Sequence, residues 1–332
     1  MRVAINGLGR IGRAVLKIVL DTAELELVAV NDVASSRNLA YLLAYDTVYG
    51  RYAKRVRAED GTLFINEKPY RAFVERDPAR LPWKDIGVEL VFECTGAFSR
   101  REELRKHIDA GARTVLLSAP AKEEDVEMVV HGVNVPGRRA QIVSCASCTT
   151  NCITPLVEIV GRRVGFAKAV MTTVHAYTVT QAILDSPSKS LRRGRAGAVN
   201  MVPTSTGAAM ATTRALPQYR GRFDGAAVRV PVAVGSIADV TFVTTRKTTV
   251  EEVNAVFREE SKTKRYEGVL GVSDDPIVSS DIIGDSRASI VDIAMTMVVD
   301  GDLLKVMSWY DNEWGYASQM VREARAIASA AR

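Results

Sequence analysis

The chain is poor in the side chains that titrate or cross-link near neutral pH: of 332 residues, three are histidine and four are cysteine. Three of the cysteines, Cys145, Cys148 and Cys152, fall within eight positions, and Cys94 stands apart. That clustering speaks against a spread disulfide framework, so a reducing, cytoplasmic location is expected. No uninterrupted apolar run of about 18 residues occurs, which rules out a membrane-spanning helix. The opening MRVAINGLGR lacks the long apolar core and cleavage site of a signal peptide and is expected to begin a mature fold. A large excess of one charge is also missing, since 44 Lys and Arg against 39 Asp and Glu leave +5. This mild basicity suits acidic small molecules. It falls short of the basic, aromatic-interleaved face of a dedicated nucleic-acid binder.

What is present reads as an ordinary globular chain, 47% hydrophobic and 25% charged, long enough for about two domains. A core of that size folds without a disulfide or a structural metal. Residues 2–6 (RVAIN) form an apolar run followed by glycines. Residues 10–20 place Ile11, Val15, Leu16, Ile18 and Val19 mainly on one helical stripe, and 25–31 (LELVAVN) is a second strand-like run. This βαβ order implies a parallel sheet. Runs at 88–95, 114–118, 127–131 and 141–145, with a helix over 101–111, continue the pattern. A doubly wound, Rossmann-type α/β domain is therefore expected to about residue 147. Beyond it, a helix over 149–165 precedes long β-type runs at 168–175, 226–234, 237–247 and 288–299. Several of these lack intervening helices, which predicts an α+β domain with a mixed or antiparallel sheet. Residues 185–200 form a long polar, basic loop of the kind that tends to be functional. A last helix is expected over 315–331.

Gly7-Leu8-Gly9-Arg10-Ile11-Gly12 is a G-x-G-x-x-G between a strand and a helix, and Asp32 follows Gly12 by 20 positions at the end of the second strand. In that context the motif is the dinucleotide-binding fingerprint. Gly7 permits the tight turn, Gly9 lets the backbone approach a pyrophosphate, and Gly12 lets helix and strand pack closely. The helix N-terminus offers unpaired N–H groups to phosphates. Asp32 can hold the adenosine ribose hydroxyls and repel a 2′-phosphate, which favours NAD; nearby Ser35, Ser36 and Arg37 leave NADP open. A glycine-rich turn beside a surface aspartate is the plainer alternative.

Cys148, in Ser147-Cys148-Thr149-Thr150-Asn151, stands at the start of the expected 149–165 helix, where a thiolate is stabilised. It is the candidate nucleophile. Of the histidines, His107 lies in the charged helix REELRKH and is expected to face solvent. His131 is placed inside an apolar strand of the first domain. His175 ends the run 169–174 before a polar turn, a common address for a catalytic base, and is preferred by exclusion of the others. Cys145, Cys148 and Cys152 spell C-x2-C-x3-C, which admits a redox or metal reading. Zinc or an iron–sulfur cluster would need a fourth ligand at suitable spacing, and Cys94 sits in an apolar strand. No metal is expected, and Cys145 and Cys152 read most simply as packed residues. The basic cluster 189–195 reads as a solvated loop or an anion site; it carries no stacking aromatics for RNA.

The chain resembles the phosphorylating glyceraldehyde-3-phosphate dehydrogenase family over essentially its whole length. The segments that carry the resemblance are NGLGRIGR (6–13), SCTTN (147–151), TTVHAYT (172–178), LRRGRAG (191–197), PTSTGAA (203–209), RVP (229–231) and WYDNEWGYA (309–317). The resemblance implies attack by Cys148 on an aldehyde, His175 as proton acceptor, hydride transfer to NAD, and attack of inorganic phosphate on the acyl thioester. It places Arg10 and Ile11 along the pyrophosphate and Arg76 and Ser118 toward the adenosine end. Asn312 would hold the nicotinamide carboxamide, with Tyr316 near the ring. It assigns Thr178, Arg195 and Arg229 to the phosphate of a phosphorylated aldehyde. Ser147, Thr149, Thr206, Gly207 and Arg229 fall to the incoming phosphate, arginine and hydroxyl groups suiting such anions.

The implied domains are an NAD-binding domain, 1–147 with the C-terminal helix 313–332 returning to it, and a catalytic domain, 148–312. The implied assembly is a homotetramer. The chain departs from the family at Cys145, usually Asn, at Met210, usually Lys, and in the loop 185–190, where Ser186 loosens the preference for NAD. Erythrose-4-phosphate dehydrogenase is the rival within the enzyme class. A non-catalytic NAD- or RNA-binding regulatory protein is the rival outside it.

Overall fold

The computed structural model describes residues 1–137 and 140–330, so the final two positions of the expected 313–332 segment lie outside the described residues. The chain divides into two compact units. One comprises Met1–Val129, Val135–Ala146 and Ala317–Arg332, the other Val130–Asn134 and Ser147–Tyr316.

The first unit is built on a nine-stranded sheet. Seven strands pair in parallel, in the order Glu127–Met128, Ile142–Ser144, Thr114–Leu117, Leu90–Glu93, Arg2–Asn6, Glu26–Asn31 and Lys68–Phe73. Thr62–Ile65 and Val56–Glu59 then close the edge as antiparallel hairpin strands. Val3, Ala4 and Ile5 in the first strand and Leu90, Val91 and Phe92 beside it are fully buried, as continuous apolar strands of a two-sided sheet must be. The strand Arg2–Asn6 has Glu26–Asn31 on one side and Leu90–Glu93 on the other. Its carboxyl end is thus a topological switch point, the place where open α/β sheets hold ligands. The helix Trp314–Ala330 brings Ala317, Met320, Val321 and Ala324 into this unit as buried residues.

Two expectations fail here. His107 is completely buried rather than solvent-facing: Leu104 and His107, three apart on the helix Arg101–Asp109, share its inward stripe. The strand expected over 127–131 stops at Met128. His131 lies in a turn, half-buried, in the segment Val130–Asn134 of the second unit.

The second unit carries a seven-stranded mixed sheet in the order Val202–Ser205, Phe223–Val230, Phe166–Ala176, Ser236–Thr244, Leu303–Tyr310, Ser289–Val299 and Leu270–Ser273. The strands Phe166–Ala176 and Phe223–Val230 run parallel, while Ser236–Thr244 is antiparallel to both of its neighbours. Residues of Ser236–Thr244 alternate strictly between buried and half-exposed, the pattern of a sheet covered on one face. The helix Cys148–Arg163 supplies much of that cover. Its Ile153, Leu156, Val157 and Val160 join Met171, Val240, Phe242, Leu304 and Val306 in one core. The helix begins one residue before the expected start, so Cys148 is its first residue.

Candidate active site

In the first unit, the strand Arg2–Asn6 turns through Gly7-Leu8-Gly9 into the helix Arg10–Val19. Gly7 sits at φ +89°, and a Cβ there would stand 2.6 Å from the Thr95 backbone nitrogen. A Cβ on Gly12 would stand 1.9 Å from the Gly7 carbonyl oxygen. Both positions therefore need glycine. Among the described residues, nothing beyond its own stretch of chain comes within 4 Å of a Cβ placed on Gly9, so the backbone there is open to a ligand. Among the described residues, no side chain caps the helix N-terminus.

Beside the turn lies a cavity of about 400 Å³ lined by Asn6, Gly7, Gly9, Asn31, Asp32 and Arg76, among others. Asp32 is clamped at its rim, since Leu8 N–H donates to Oδ2 at 2.7 Å and Ala34 N–H to Oδ1 at 2.8 Å. The open glycine cradle, the uncapped helix end and a held carboxylate are what a dinucleotide requires, and these residues fit NAD. Three predicted contacts look elsewhere. The Arg10 guanidinium donates to Asp46 at 2.6 Å and lies over the Tyr49 ring; neither Arg10 nor Ile11 lines the cavity. Ser118, half-buried, also lies outside the cavity lining, its N–H bonded to the Glu93 carbonyl at 3.0 Å.

The second unit brings together residues far apart in sequence. Ser147 caps the helix Cys148–Arg163, accepting from Thr150 N–H at 3.2 Å. Just before it, Ala146 adopts φ +56°, the left-handed region, which costs a non-glycine residue about 1–2 kcal/mol. Such outliers gather at functional sites. Cys148 Sγ lies 3.4 Å from His175 Nε2. The other ring nitrogen, Nδ1, is 2.7 Å from the Ala176 carbonyl and donates to it. That hydrogen bond leaves the Nε2 lone pair facing sulfur, the tautomer a base needs.

His175 and Arg229 are register partners on adjacent parallel strands. The Arg229 guanidinium packs against the His175 ring and its Nη1 donates to Ala176 O at 3.0 Å, while its Nε is buried without a hydrogen-bond partner among the described residues. A neutral imidazole packed against a guanidinium has a plain electrostatic consequence. Burial, and after it Arg229, hold the His175 pKa down at about 3. Burial also pushes the Cys148 thiol up, and Arg229, the Thr149 hydroxyl and nearby backbone N–H groups draw it only part of the way back. The resting pair is thus a thiol beside a neutral base; desolvation outweighs the helix N-terminus that was expected to make the sulfur anionic. The other three cysteines are free and buried, and burial raises all of their thiol pKa values. Cys148 alone is only half-buried. Among the described residues, no three His, Cys, Asp or Glu side chains are placed to hold a metal.

Tyr310 was not expected in the site. Its buried hydroxyl bridges Thr149 Oγ1 at 2.9 Å and Thr173 Oγ1 at 2.8 Å, and its ring meets the His175 ring edge-on at 5.9 Å. It sits inside the WYDNEW segment, where only its neighbours drew notice. Arg193 was also missed. It donates to Thr204 Oγ1 at 3.0 Å, and its charge acts on both His175 and Arg229. Arg195, the expected anion ligand, is exposed and donates to Asp185 at 2.7 Å. Thr206 and exposed Gly207 precede the helix Ala208–Ala215, with Thr206 Oγ1 accepting from Ala208 N–H at 3.2 Å. Half-buried Thr178 shares a hydrogen bond with Thr180 at 2.8 Å. Asn312 is buried, and its Oδ1 accepts from Gly235 N–H at 3.1 Å and Ser236 Oγ at 3.0 Å; this fixes the amide so that its NH2 points the other way. Tyr316 is buried as well.

Two family models match the chain. The one described as "Glyceraldehyde 3-phosphate dehydrogenase, NAD binding domain" covers residues 1–101, and the one described as "Glyceraldehyde 3-phosphate dehydrogenase, C-terminal domain" covers residues 147–312. Similar curated proteins include glyceraldehyde-3-phosphate dehydrogenase of Thermotoga maritima, 47% identical over 96% of this chain and 97% of the relative. Glyceraldehyde-3-phosphate dehydrogenase 2 of Streptomyces avermitilis is 45% identical over 97% and 96%. Glyceraldehyde-3-phosphate dehydrogenase of Geobacillus stearothermophilus is 44% identical over 99% and 98%.

Proposed function

Because the chain belongs to the glyceraldehyde-3-phosphate dehydrogenase family, we propose that it oxidises and phosphorylates D-glyceraldehyde 3-phosphate to 1,3-bisphosphoglycerate with NAD, a step of glycolysis or gluconeogenesis. The observation that carries the reading is Cys148 Sγ at 3.4 Å from the lone-pair nitrogen of His175, with Arg229 alongside. Cys148 Sγ forms a bond to the aldehyde carbon as its proton passes to His175 Nε2 and from there to the carbonyl oxygen, giving a thiohemiacetal and leaving the imidazole neutral again. NAD, when bound, supplies the acceptor for the hydride that leaves this carbon. His175 takes up the hydroxyl proton as the C=O double bond forms, and Cys148 is left acylated as a thioester. Phosphate oxygen then bonds to the acyl carbon, the C–S bond breaks, and the sulfur takes back the proton held on His175 Nε2 as the acyl phosphate leaves, which restores Cys148. An anion drawn to Arg229 offsets the positive charge that depresses His175, so substrate binding itself raises the basicity of the base.

In this reading Thr178, Arg195 and Arg229 hold the substrate phosphate, and Ser147, Thr149, Thr206, Gly207 and Arg229 receive the attacking phosphate. The half-buried Arg229 and the two helix starts at Cys148 and Ala208 support it. Arg195 would exchange its Asp185 partner for phosphate, an easy exchange because the pair is exposed and screened by water. For the cofactor, Gly7, Gly9, Gly12, Asp32 and Arg76 fit directly. Arg10, Ile11, Ser118, Asn312 and Tyr316 complete the proposed set. The NAD-binding domain is taken as 1–147 with 313–332, and the catalytic domain as 148–312.

A homotetramer is the proposed assembly. It is supported by exposed apolar side chains on one stretch of the second unit, Val179, Ile183, Leu184, Leu191, Val199 and Met201. A cytoplasmic location is the proposed one, supported by four free cysteines and a mechanism that needs a free thiol.

The test follows absorbance at 340 nm with glyceraldehyde 3-phosphate, with and without inorganic phosphate, using NAD and then NADP. Steady turnover that requires phosphate and prefers NAD is expected. Turnover at full rate without phosphate would sink the phosphorylating reading.

A further inference from the structure

The three strands that meet at the switch point end in a polar row. Asn31, Asn6 and Glu93 are register partners across the sheet, and all three are buried. Asn31 Nδ2 donates to Asn6 Oδ1 at 2.7 Å, and Asn6 Nδ2 donates to Glu93 Oε2 at 2.6 Å. Behind Glu93 lie two more buried groups, His107 and Trp83. Trp83 Nε1–H is 2.9 Å from His107 Nδ1. An indole nitrogen can only donate, so Nδ1 is the acceptor, His107 is neutral, and its proton sits on Nε2. Nε2–H then donates to Glu93 Oε2 at 3.1 Å. The other carboxylate oxygen, Oε1, accepts from Thr95 N–H at 2.8 Å and from the Thr95 hydroxyl. The fully buried Glu93 side chain is therefore held by four neutral partners, Asn6, His107 and the N–H and hydroxyl of Thr95.

One side of this chain of bonds lines the dinucleotide cavity, while the side behind it does not. Asn6, Asn31, Glu75 and Thr95 are lining residues; Glu93, His107 and Trp83 are not. Asn31 is tied to Glu75 in both directions, donating to its carbonyl at 2.8 Å and accepting from its N–H at 2.9 Å. We propose that Glu93 is a positioning residue for the cofactor: pinned from behind by His107 and Trp83, its carboxylate sets Thr95 and Asn6 in the conformations that line the NAD pocket. A satisfied buried network holds one geometry, because any rotation strands a donor away from water. The inference rests on the NAD-binding reading above.

Calorimetric titration of the full-length protein with NAD tests it. Glu93→Gln keeps the shape but turns an NH2 toward donors that need an acceptor. It is expected to raise the Kd for NAD roughly tenfold or more, and the KM for NAD by more than kcat falls. Thr95→Val removes the hydroxyl that Glu93 holds, at an exposed position where folding is safe; it should weaken NAD severalfold. The double variant should be no weaker than the worse single, since both cut the same link. A folded Glu93→Gln protein that binds NAD like the wild type, or additive losses in the double variant, would overturn the positioning role. If Glu93→Gln does not fold, an unchanged Kd for Thr95→Val overturns it instead, and a severalfold loss upholds it. Wild-type protein that binds no NAD would overturn the functional reading itself.

Discussion

The two units build their sites by opposite means. In the first, the site is mostly backbone. A positive φ at Gly7, a bare Cβ position at Gly9, an uncapped helix end and an aspartate clamped by two main-chain N–H groups are contributed by a short stretch and the strand beside it. In the second, the site is side chains carried in by separate strands and one helix. Cys148 meets His175 across 27 positions, and Thr149 meets Tyr310 across 161. A backbone site is written in consecutive letters, because only glycine satisfies its φ and its clearances. A side-chain site depends on strand order, which no short window of sequence contains.

The sharpest break between the units is Cys148→Ser. Loss of the sulfur should lower turnover by about 10⁴-fold or more, while calorimetry shows NAD bound as before. If the variant instead lost NAD binding, the separation of roles drawn here would be wrong. Next, His175→Asn should slow turnover by about 10²–10⁴-fold. It should also slow alkylation of Cys148 by iodoacetamide at pH 7, because the thiol loses its proton acceptor. Alkylation at the wild-type rate would show that the 3.4 Å contact does not activate the sulfur.

Gly12→Ala carries the contrast into the first unit. With 1.9 Å between the new Cβ and the Gly7 carbonyl, the turn must open. NAD affinity should fall by roughly tenfold or more, while the iodoacetamide reactivity of Cys148 changes little. A variant with normal NAD affinity would show that the turn tolerates a side chain.

The smallest effect concerns acid. The second unit stores buried charge as ion pairs: Arg162 bonds both Glu158 and Glu260, and Arg163 also reaches Glu260. Hydrogen bonds from Arg162 hold Glu260 below the ordinary carboxylate range. A depressed carboxylate stabilises the fold fully above its unfolded pKa, near 4.3, and that contribution is lost as pH falls through the lower folded value. Urea unfolding at pH 7 and pH 3 should therefore show a smaller drop in stability on acidification for Glu260→Gln than for the wild type. Equal drops would mean that the pairs do not couple to folding.

Much of the fold was legible. The βαβ start, the helix expected over 101–111 and found over Arg101–Asp109, and the mixed sheet of the second unit all follow from apolar period and punctuation. The failures share a cause. The charged sequence REELRKH suggested an exposed histidine, yet His107 sits on the same stripe as Leu104 and finds Trp83 and Glu93 inside. The run at 127–131 looked like one strand, but the chain leaves the sheet after Met128. Helix position alone suggested an anionic Cys148, whereas burial, visible only once the chain is packed, dominates its titration. Arg193 and Tyr310 lay inside segments that drew notice, but nothing local set either residue apart from its neighbours.

The linear order of residues settled the kind of turn that can cradle a dinucleotide, the candidate nucleophile and the family, because those depend on steric allowances and chemistry carried by neighbours in the chain. Folding in three dimensions decided which histidine meets the sulfur, which proton that histidine carries, and which arginines act on it. Those outcomes arise from strand register and exclusion of water, and both are properties of the packed sheet.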